Sequence, residues 1–301
     1  MTLAISVAIC TYNRADSLRR TLDSLGQVEG RAGLDWELLL IDNNSRDATR
    51  TVAESFIGRL PLRYVFEPEQ GLSRARNRAL RECRGDVIVF TDDDILVDSD
   101  WLRAYAEGFF NHLEMGYFGG PIQPYYLDGK PSWIKDESMP LIGGLLGYYT
   151  LGDISRPYTE QDMHPFGANF ALTRCLFEHH PPFRTDLGVV GNTPGRGEEA
   201  EYFRRVRAEN IPGYYLAAAR CHHVIQSNHL TLRYLYRYGV QKGIAAARMS
   251  GAETGRPGSR LRELEYGLKG VWQMLRGRGD RARQCVINMG IQRGLRARDN
   301  G

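Results

Sequence analysis

Long apolar runs are missing from this 301-residue chain. No stretch approaches the ~18 residues that would suggest a membrane-spanning helix, so any membrane contact is expected to be peripheral. Cysteine is sparse. Five are scattered along the chain (Cys10, Cys83, Cys175, Cys221, Cys285), an odd number with no C-x-x-C pair. That pattern excludes a disulfide framework and suggests reduced, cytoplasmic usage. The first ten residues carry no basic segment and no small-residue cleavage site, so they read as a strand rather than a signal peptide. Neither charge sign dominates: 39 Lys/Arg against 36 Asp/Glu leave +3, too little to imply a nucleic-acid partner. G-x-x-x-x-G-K-[ST] and H-E-x-x-H are both absent, as are internal repeats and low-complexity segments.

What is present is an alternation. Residues 5–10, 36–41, 62–66 and 87–90 are short apolar runs that read as strands, and residues 16–25, 47–56, 72–83 and 100–113 carry helical periodicity. Strands alternating with helices predict βαβ units: an α/β fold with a mostly parallel, Rossmann-like sheet flanked by helices. From 116 to 184 the pattern loosens toward mixed strands and loops. Helix returns at 197–210, a strand at 214–219, and helices from 229 onward, broken by a Gly/Pro/Ser-rich stretch at 251–259. A boundary between 228 and 229 is expected, with 229–301 a C-terminal helical region. From Arg256 onward eleven Lys/Arg face four acids with apolar residues interleaved. Such a segment is either a solvated helical cap or a peripheral contact at the inner face of the membrane.

Ligands of open parallel sheets bind beyond the carboxyl ends of the strands. There this sequence places Thr11-Tyr12-Asn13-Arg14, Asp42-Asn43-Asn44-Ser45, Glu67 and Thr91-Asp92-Asp93-Asp94. Three adjacent carboxylates repel one another unless a cation neutralises them. In extended chain Asp92 and Asp94 share a face and can hold one divalent ion, while Asp93 points away. His222-His223, expected at the end of the strand 214–219, offer a third ligand in His223. A cation held by so few protein groups is completed by phosphate oxygens. Cations for that phosphate are at hand in Arg74, Arg76 and Arg78, which open a helix after Gly71 and Ser73. Asp42 is suited to accept from a nucleobase or ribose. Asn169, in the small-residue run 165–170, is a candidate for a sugar hydroxyl, or else holds a neighbouring loop. Trp133, Tyr125 and Tyr126 are candidates to stack on an acceptor ring or to be core. Gly195-Arg196-Gly197-Glu198-Glu199-Ala200 fits G-x-G-x-x-A, but it puts two acids where a pyrophosphate would sit and is a decoy.

Taken in order, these segments resemble the family 2 glycosyltransferases, which have the GT-A fold. Residues 6–14 resemble that family's first strand, and Asp42-Asn43-Asn44-Ser45-Arg46-Asp47-Ala48-Thr49 its "D-N-x-S-x-D-x-T" turn. Residues 71–78 are similar to its "G-x-x-x-A-R-N" helix start, Thr91-Asp92-Asp93-Asp94 to its D-x-D segment, and 197–205 to its "G-E-D-x-[DE]-[LF]-x-x-R" motif. The resemblance implies that 1–228 is a nucleotide-sugar-binding and catalytic domain. It implies inverting transfer from a nucleoside-diphosphate sugar, most often UDP-linked, to a hydroxyl of a glycan or lipid-linked saccharide, with Mn²⁺ or Mg²⁺.

On the same resemblance the donor lies against Thr11, Tyr12, Arg14, Asp42, Asn44, Arg74, Arg76, Arg78, Asp92, Asp93 and Asn169. The metal falls to Asp92, Asp94 and His223. Glu199 stands where the family usually has an aspartate base, and Glu198 or Glu201 is the alternative. Two other functions compete: a sugar nucleotidyltransferase, which would need a Gly-rich loop where Thr11-Tyr12-Asn13-Arg14 stands, and a non-catalytic carbohydrate- or membrane-binding protein on this fold.

Overall fold

The apolar runs and amphipathic segments form an α/β fold in a computed structural model that describes residues 4–29, 33–134, 143–191, 196–249 and 260–296. The first half alternates β1 (Ala4–Thr11), α1 (Ala15–Gly26), β2 (Asp35–Asp42), α2 (Thr49–Glu54), β3 (Leu62–Phe66), α3 (Leu72–Glu82) and β4 (Val87–Asp92). The next stretch holds β5 (Ile95–Val97), α4 (Trp101–Asn111), β6 (Tyr117–Gly119), β7 (Ile122–Tyr126) and β8 (Arg156–Pro157). Then come β9 (Asn169–Thr173), α5 (Arg174–His179), α6 (Glu198–Ala208), β10 (Gly213–Tyr215) and β11 (Cys221–Ile225). The helices α7 (Leu232–Met249), α8 (Arg260–Leu275) and α9 (Gly279–Arg296) close the described chain.

Eight strands form the main sheet in the order β3-β2-β1-β4-β9-β6-β10-β8. The pairings β3·β2, β2·β1 and β1·β4 are parallel, whereas β9 runs antiparallel to both β4 and β6. β1 is central, and its alternation feeds two cores. Val7 and Ile9 join Leu18, Leu22 and Leu38 on one face; Ala8 joins Leu39, Ile41, Ile88 and Phe90 on the other. Burial on both faces is why β1, β2 and β4 read as unbroken apolar runs rather than alternating ones. The parallel register carries Thr11 beside Asp42 and Cys10 beside Asp92, so the polar strand ends converge on one edge.

Two local expectations need correction. The strand expected at 214–219 is only Gly213–Tyr215, and His222-His223 lie inside a separate strand, β11. That strand pairs antiparallel with β5, matching His222 with Leu96 and His223 with Ile95. Asp100 stands at the N-cap of α4 but caps nothing; its carboxylate is taken by Arg103 at 2.5 Å.

The chain divides into two units. One comprises Met1–Gln123, Tyr149–Asp186 and Glu198–Val224; the other Pro124–Tyr148, Leu187–Gly197 and Ile225–Gly301. The expected break near 228 therefore omits two earlier segments that belong with the C-terminal helices. Within the second unit α7 and α9 touch backbone to backbone. A methyl at Gly239 would strike the Ile287 carbonyl, and one at Gly290 the Tyr236 carbonyl, so only glycine fits that crossing. Around it Ile134, Leu146, Leu235, Tyr238 and Ile287 form a separate core. Trp133 is covered by the Arg283 guanidinium at 3.8 Å, Tyr126 packs against that core, and Tyr125 is exposed. The whole of the expected break at 251–259, and Gly195 of the G-x-G-x-x-A run, lie outside the described residues.

Candidate active site

β4 ends at Asp92, and the chain turns through Asp93 and Asp94 before β5. The turn alters the expected strand alternation. Asp93 and Asp94 both face Arg14, from the loop after β1: Nη1 lies 2.9 Å from Asp93 Oδ1 and Nη2 2.9 Å from Asp94 Oδ2. Thr11 donates to Asp93 Oδ2 at 2.7 Å. Asp94 Oδ2 is also 3.5 Å from His223 Nε2, delivered by β11. Its neighbour His222 alternates away to Asp98 at 2.8 Å.

These partners separate the three acids electrostatically. Desolvation pushes Asp94 upward, but His223 and Arg14 outweigh it and hold the carboxyl well below the usual range. Desolvation raises Asp93 to about 7 against the pull of Arg14. Asp92 is raised by desolvation, opposed by Arg76 and reinforced by Asp94.

Arg76 reaches this turn from α3. It is 2% exposed, and its guanidinium lies 3.8 Å from Asp92, 2.7 Å from Glu198 and 4.0 Å from Glu199. It also donates to the Gly167 carbonyl at 3.3 Å. A methyl at Gly167 would sit 2.6 Å from that guanidinium, so the close approach requires glycine. Arg76 therefore links the end of β4 to the start of α6. Its hydrogen bonds go to Glu198 and the Gly167 carbonyl, so its expected diphosphate contact stays a proposal.

Glu198 and Glu199 open α6, where the helix dipole favours negative charge. Their fates differ. Glu198 is 3% exposed; desolvation and then the Glu199 charge push it up to about 8, against Arg76. Glu199 is raised by desolvation, but Arg76 and a hydrogen bond from Glu198 outweigh this and hold it below its ordinary value. Glu198 Oε2 and Glu199 Oε2 are both buried without another donor, as expected for two carboxyls sharing one proton. The Glu199 side chain stays 25% exposed, so the ionised member is the one that substrate can reach. Glu201, the alternative base, is consumed by Arg205 at 3.0 Å to both oxygens.

At the nucleotide end Asp42 accepts from the Ser45 N–H at 2.9 Å and the Tyr64 hydroxyl at 2.7 Å. Asn44 adopts a left-handed φ of 69° and donates to the Pro68 carbonyl at 3.1 Å. Asn43 ties the loop to α3, its carbonyl oxygen accepting from the Gly71 N–H at 2.7 Å. Tyr12 is partly exposed beside Asn13. Arg74 pairs with Glu69, and Arg78 with Glu82 at 2.9 Å; neither pairs with Asp92, Asp93 or Asp94 among the described residues. The exposed cation at the acidic turn is Arg14, not a member of the arginine helix.

Asn169 makes its hydrogen bonds within the protein. It is fully buried; Oδ1 accepts from Trp101 Nε1 at 2.8 Å and the Tyr105 hydroxyl at 2.9 Å, while Nδ2 donates to the Pro121 and Ala219 carbonyls. Both acceptor positions and both donors are filled, leaving nothing for a sugar. Sequence reasoning missed Tyr64, Asn43 and the Arg76–Glu198 pair, whose partner residues are 22, 28 and 122 positions apart in the chain.

A Rossmann-like sheet with an acidic turn after its fourth strand, faced by an acidic helix start, is the arrangement of the GT-A glycosyltransferases. The glycosyl transferase family 2 profile matches residues 6–173, and the chain belongs to that family. It is a glycosyltransferase, which sets aside the nucleotidyltransferase and non-catalytic alternatives.

Among relatives, the succinoglycan biosynthesis protein ExoM of Rhizobium meliloti (strain 1021) is 25% identical over 275 residues, 91% of this chain and 80% of that one. The uncharacterized glycosyltransferase YfnE of Bacillus subtilis (strain 168) is 31% identical over 142 residues, 46% of this chain but 36% of its own. The mannosyltransferase PcManGT from Pyrobaculum calidifontis, solved with GDP-Man and Mn²⁺, superposes with a TM-score of 0.61 at 17% identity, covering 97% of this chain and 87% of that one. S. aureus TarS 1-349 with UDP-GlcNAc gives 0.54 at 14% identity, over 95% and 90%. Among the described residues no helix is long and apolar enough to cross a membrane.

Proposed function

We propose that the protein transfers a sugar from a nucleoside-diphosphate donor, UDP-linked in the first instance, to a saccharide or lipid-linked saccharide hydroxyl, with inversion. The observation that carries this reading is the buried Arg76, which joins the acidic turn of β4 to the carboxyl pair opening α6. One side suits a diphosphate and the other an acceptor. Neighbours solved with GDP-Man and with UDP-GlcNAc support a nucleotide-sugar donor but leave the base open. The succinoglycan relative supports a saccharide acceptor.

A divalent cation fits the residues present. Asp94 Oδ2 and His223 Nε2 stand 3.5 Å apart, near the ~3 Å between adjacent donors on an ion bonded at about 2.1 Å. Asp92 is the other carboxylate there, half-buried and facing Arg76. Among the described residues no three such side chains already form a cage, so donor phosphates complete the site in this reading. Asp92, Asp94 and His223 would hold the cation, Mn²⁺ or Mg²⁺, which supplies charge stabilisation for the departing diphosphate.

The protein's own groups do the rest. Arg14, at the mouth of the turn, adds positive charge next to the leaving group. Glu199 removes the acceptor hydroxyl proton as that oxygen attacks the anomeric carbon from the face opposite the diphosphate. Glu198, holding its proton and bonded to Arg76, keeps Glu199 oriented and ionised. Direct displacement forms one glycosidic bond as the sugar–phosphate bond breaks, which inverts the anomeric centre.

A thermal-shift panel of nucleoside diphosphates and their sugars, with and without Mn²⁺, tests the donor half: stabilisation by one base, strengthened by Mn²⁺, is expected. No shift with any nucleotide would refute the donor assignment.

A further inference from the structure

We infer that α8 is a docking surface for an anionic lipid bilayer. Leu261, Leu264, Leu268, Val271, Trp272 and Leu275 recur at spacings of three and four residues, so they share one face about 100° wide. All six are exposed: Leu268 is 74% accessible and Leu275 82%. The opposite face turns inward, where Gly270 is buried. A stripe of this size left open to water on one helix is not ordinary surface, and no described residue covers it.

The edges of the stripe identify its occupant. Arg262, Lys269 and Arg276 recur every seven residues along one edge, and Arg260 lies on the other. All four are exposed. The Arg276 guanidinium rests 4.0 Å above the Trp272 ring, a pairing of aromatic plane and cation suited to the headgroup level of a bilayer. A furrow of about 480 Å³ between α8 and α9, lined by Leu264, Gly267, Leu268 and Met289 with Arg260 and Arg293 beside it, continues the apolar surface under basic groups. From Arg260 to Arg296 nine Lys/Arg meet three acids; Glu263 is already paired with Arg296 and Glu265 with Lys269.

The charge pattern separates a bilayer from a second copy of the chain. A two-fold interface would bring this face against itself and set like-charged rims side by side. Anionic headgroups instead neutralise the rims while the leucines enter the acyl boundary. The inference stands apart from the transfer chemistry, since none of these residues belongs to the acidic turn or the α6 carboxyls.

The test is sedimentation of the full chain with vesicles of equal parts phosphatidylglycerol and phosphatidylcholine, with pure phosphatidylcholine as control, alongside light scattering for oligomeric state. Binding to the anionic vesicles alone, weakened by salt, is expected. L264E combined with L268E should weaken it at least about tenfold without changing the melting temperature, and R262E with R276E should weaken it while leaving a residual apolar component. Failure of the native chain to sediment overturns the inference. So does binding that survives L264E/L268E, or a native dimer that the same double substitution dissolves.

Discussion

Two acidic clusters, one closing β4 and one opening α6, solve the same problem of crowded carboxylates in opposite ways. At the β4 turn neighbouring groups do the work: Arg14 and His223 hold Asp94 ionised. At α6 a single buried arginine serves two glutamates, and the remaining charge is removed by a shared proton that leaves Glu198 protonated up to about 8. A turn that holds one carboxylate firmly ionised suits an ion and a diphosphate. One that keeps a proton beside an ionised carboxylate suits proton transfer. Similar strings of acids in the sequence thus acquire different chemistry from their partners.

The contrast can be broken experimentally. Its largest consequence concerns Glu199: Glu199→Gln should lower kcat by about 10²–10⁴-fold while donor affinity by calorimetry is unchanged. Turnover at the native rate would remove Glu199 as the base. Next in size, Arg76→Met strips the only described cation from Glu198 and should destabilise the fold by about 3–5 kcal/mol in urea melts; a loss confined to activity would contradict its place as an internal link. Asn169→Ala should cost about 1–3 kcal/mol with unaltered KM for the donor, and a KM increase with no loss of stability would restore it as a sugar contact.

The smallest effect is a pH dependence. Glu198 is raised from 4.5 to about 8 in the folded state. Between those values the folded chain binds the proton that the unfolded chain has released, so this group's contribution to stability falls as pH rises. Glu198→Gln, which retains an acceptor for Arg76, should flatten that decline in melting temperature across the window. An unaltered slope would show that the proton resides elsewhere.

The first half of the fold was legible because parallel strands buried on both faces leave unbroken apolar runs, as in β1, β2 and β4, with helical periodicity between them. The second half was not. β8 has two residues and β10 three, too short for any period, and β11 is defined by its pairing with β5, more than a hundred positions earlier.

The candidate site followed the same rule. The acids at 92–94 and 198–199 were visible as local strings after a strand and at a helix start. The internal hydrogen bonds of Asn169 and Arg76 were not. Their partners, Trp101, Pro121 and Ala219 for one and Glu198 for the other, are brought in by tertiary folding. A hydrogen bond to a distant residue leaves no periodic trace.

The link between Arg76 and Glu198 also bears on where this polypeptide can be divided. The family profile ends at residue 173, before α6 begins. A fragment trimmed at that edge would keep the sheet's parallel half and the whole β4 turn. It would also strip Arg76 of Glu198 and of the Phe183 ring beside it, leaving Asp92 at 3.8 Å as its remaining acid among those described. The missing helix is therefore a piece of the interior as well as the carrier of the proposed base, and such a fragment should aggregate or unfold rather than persist as a nucleotide-binding half.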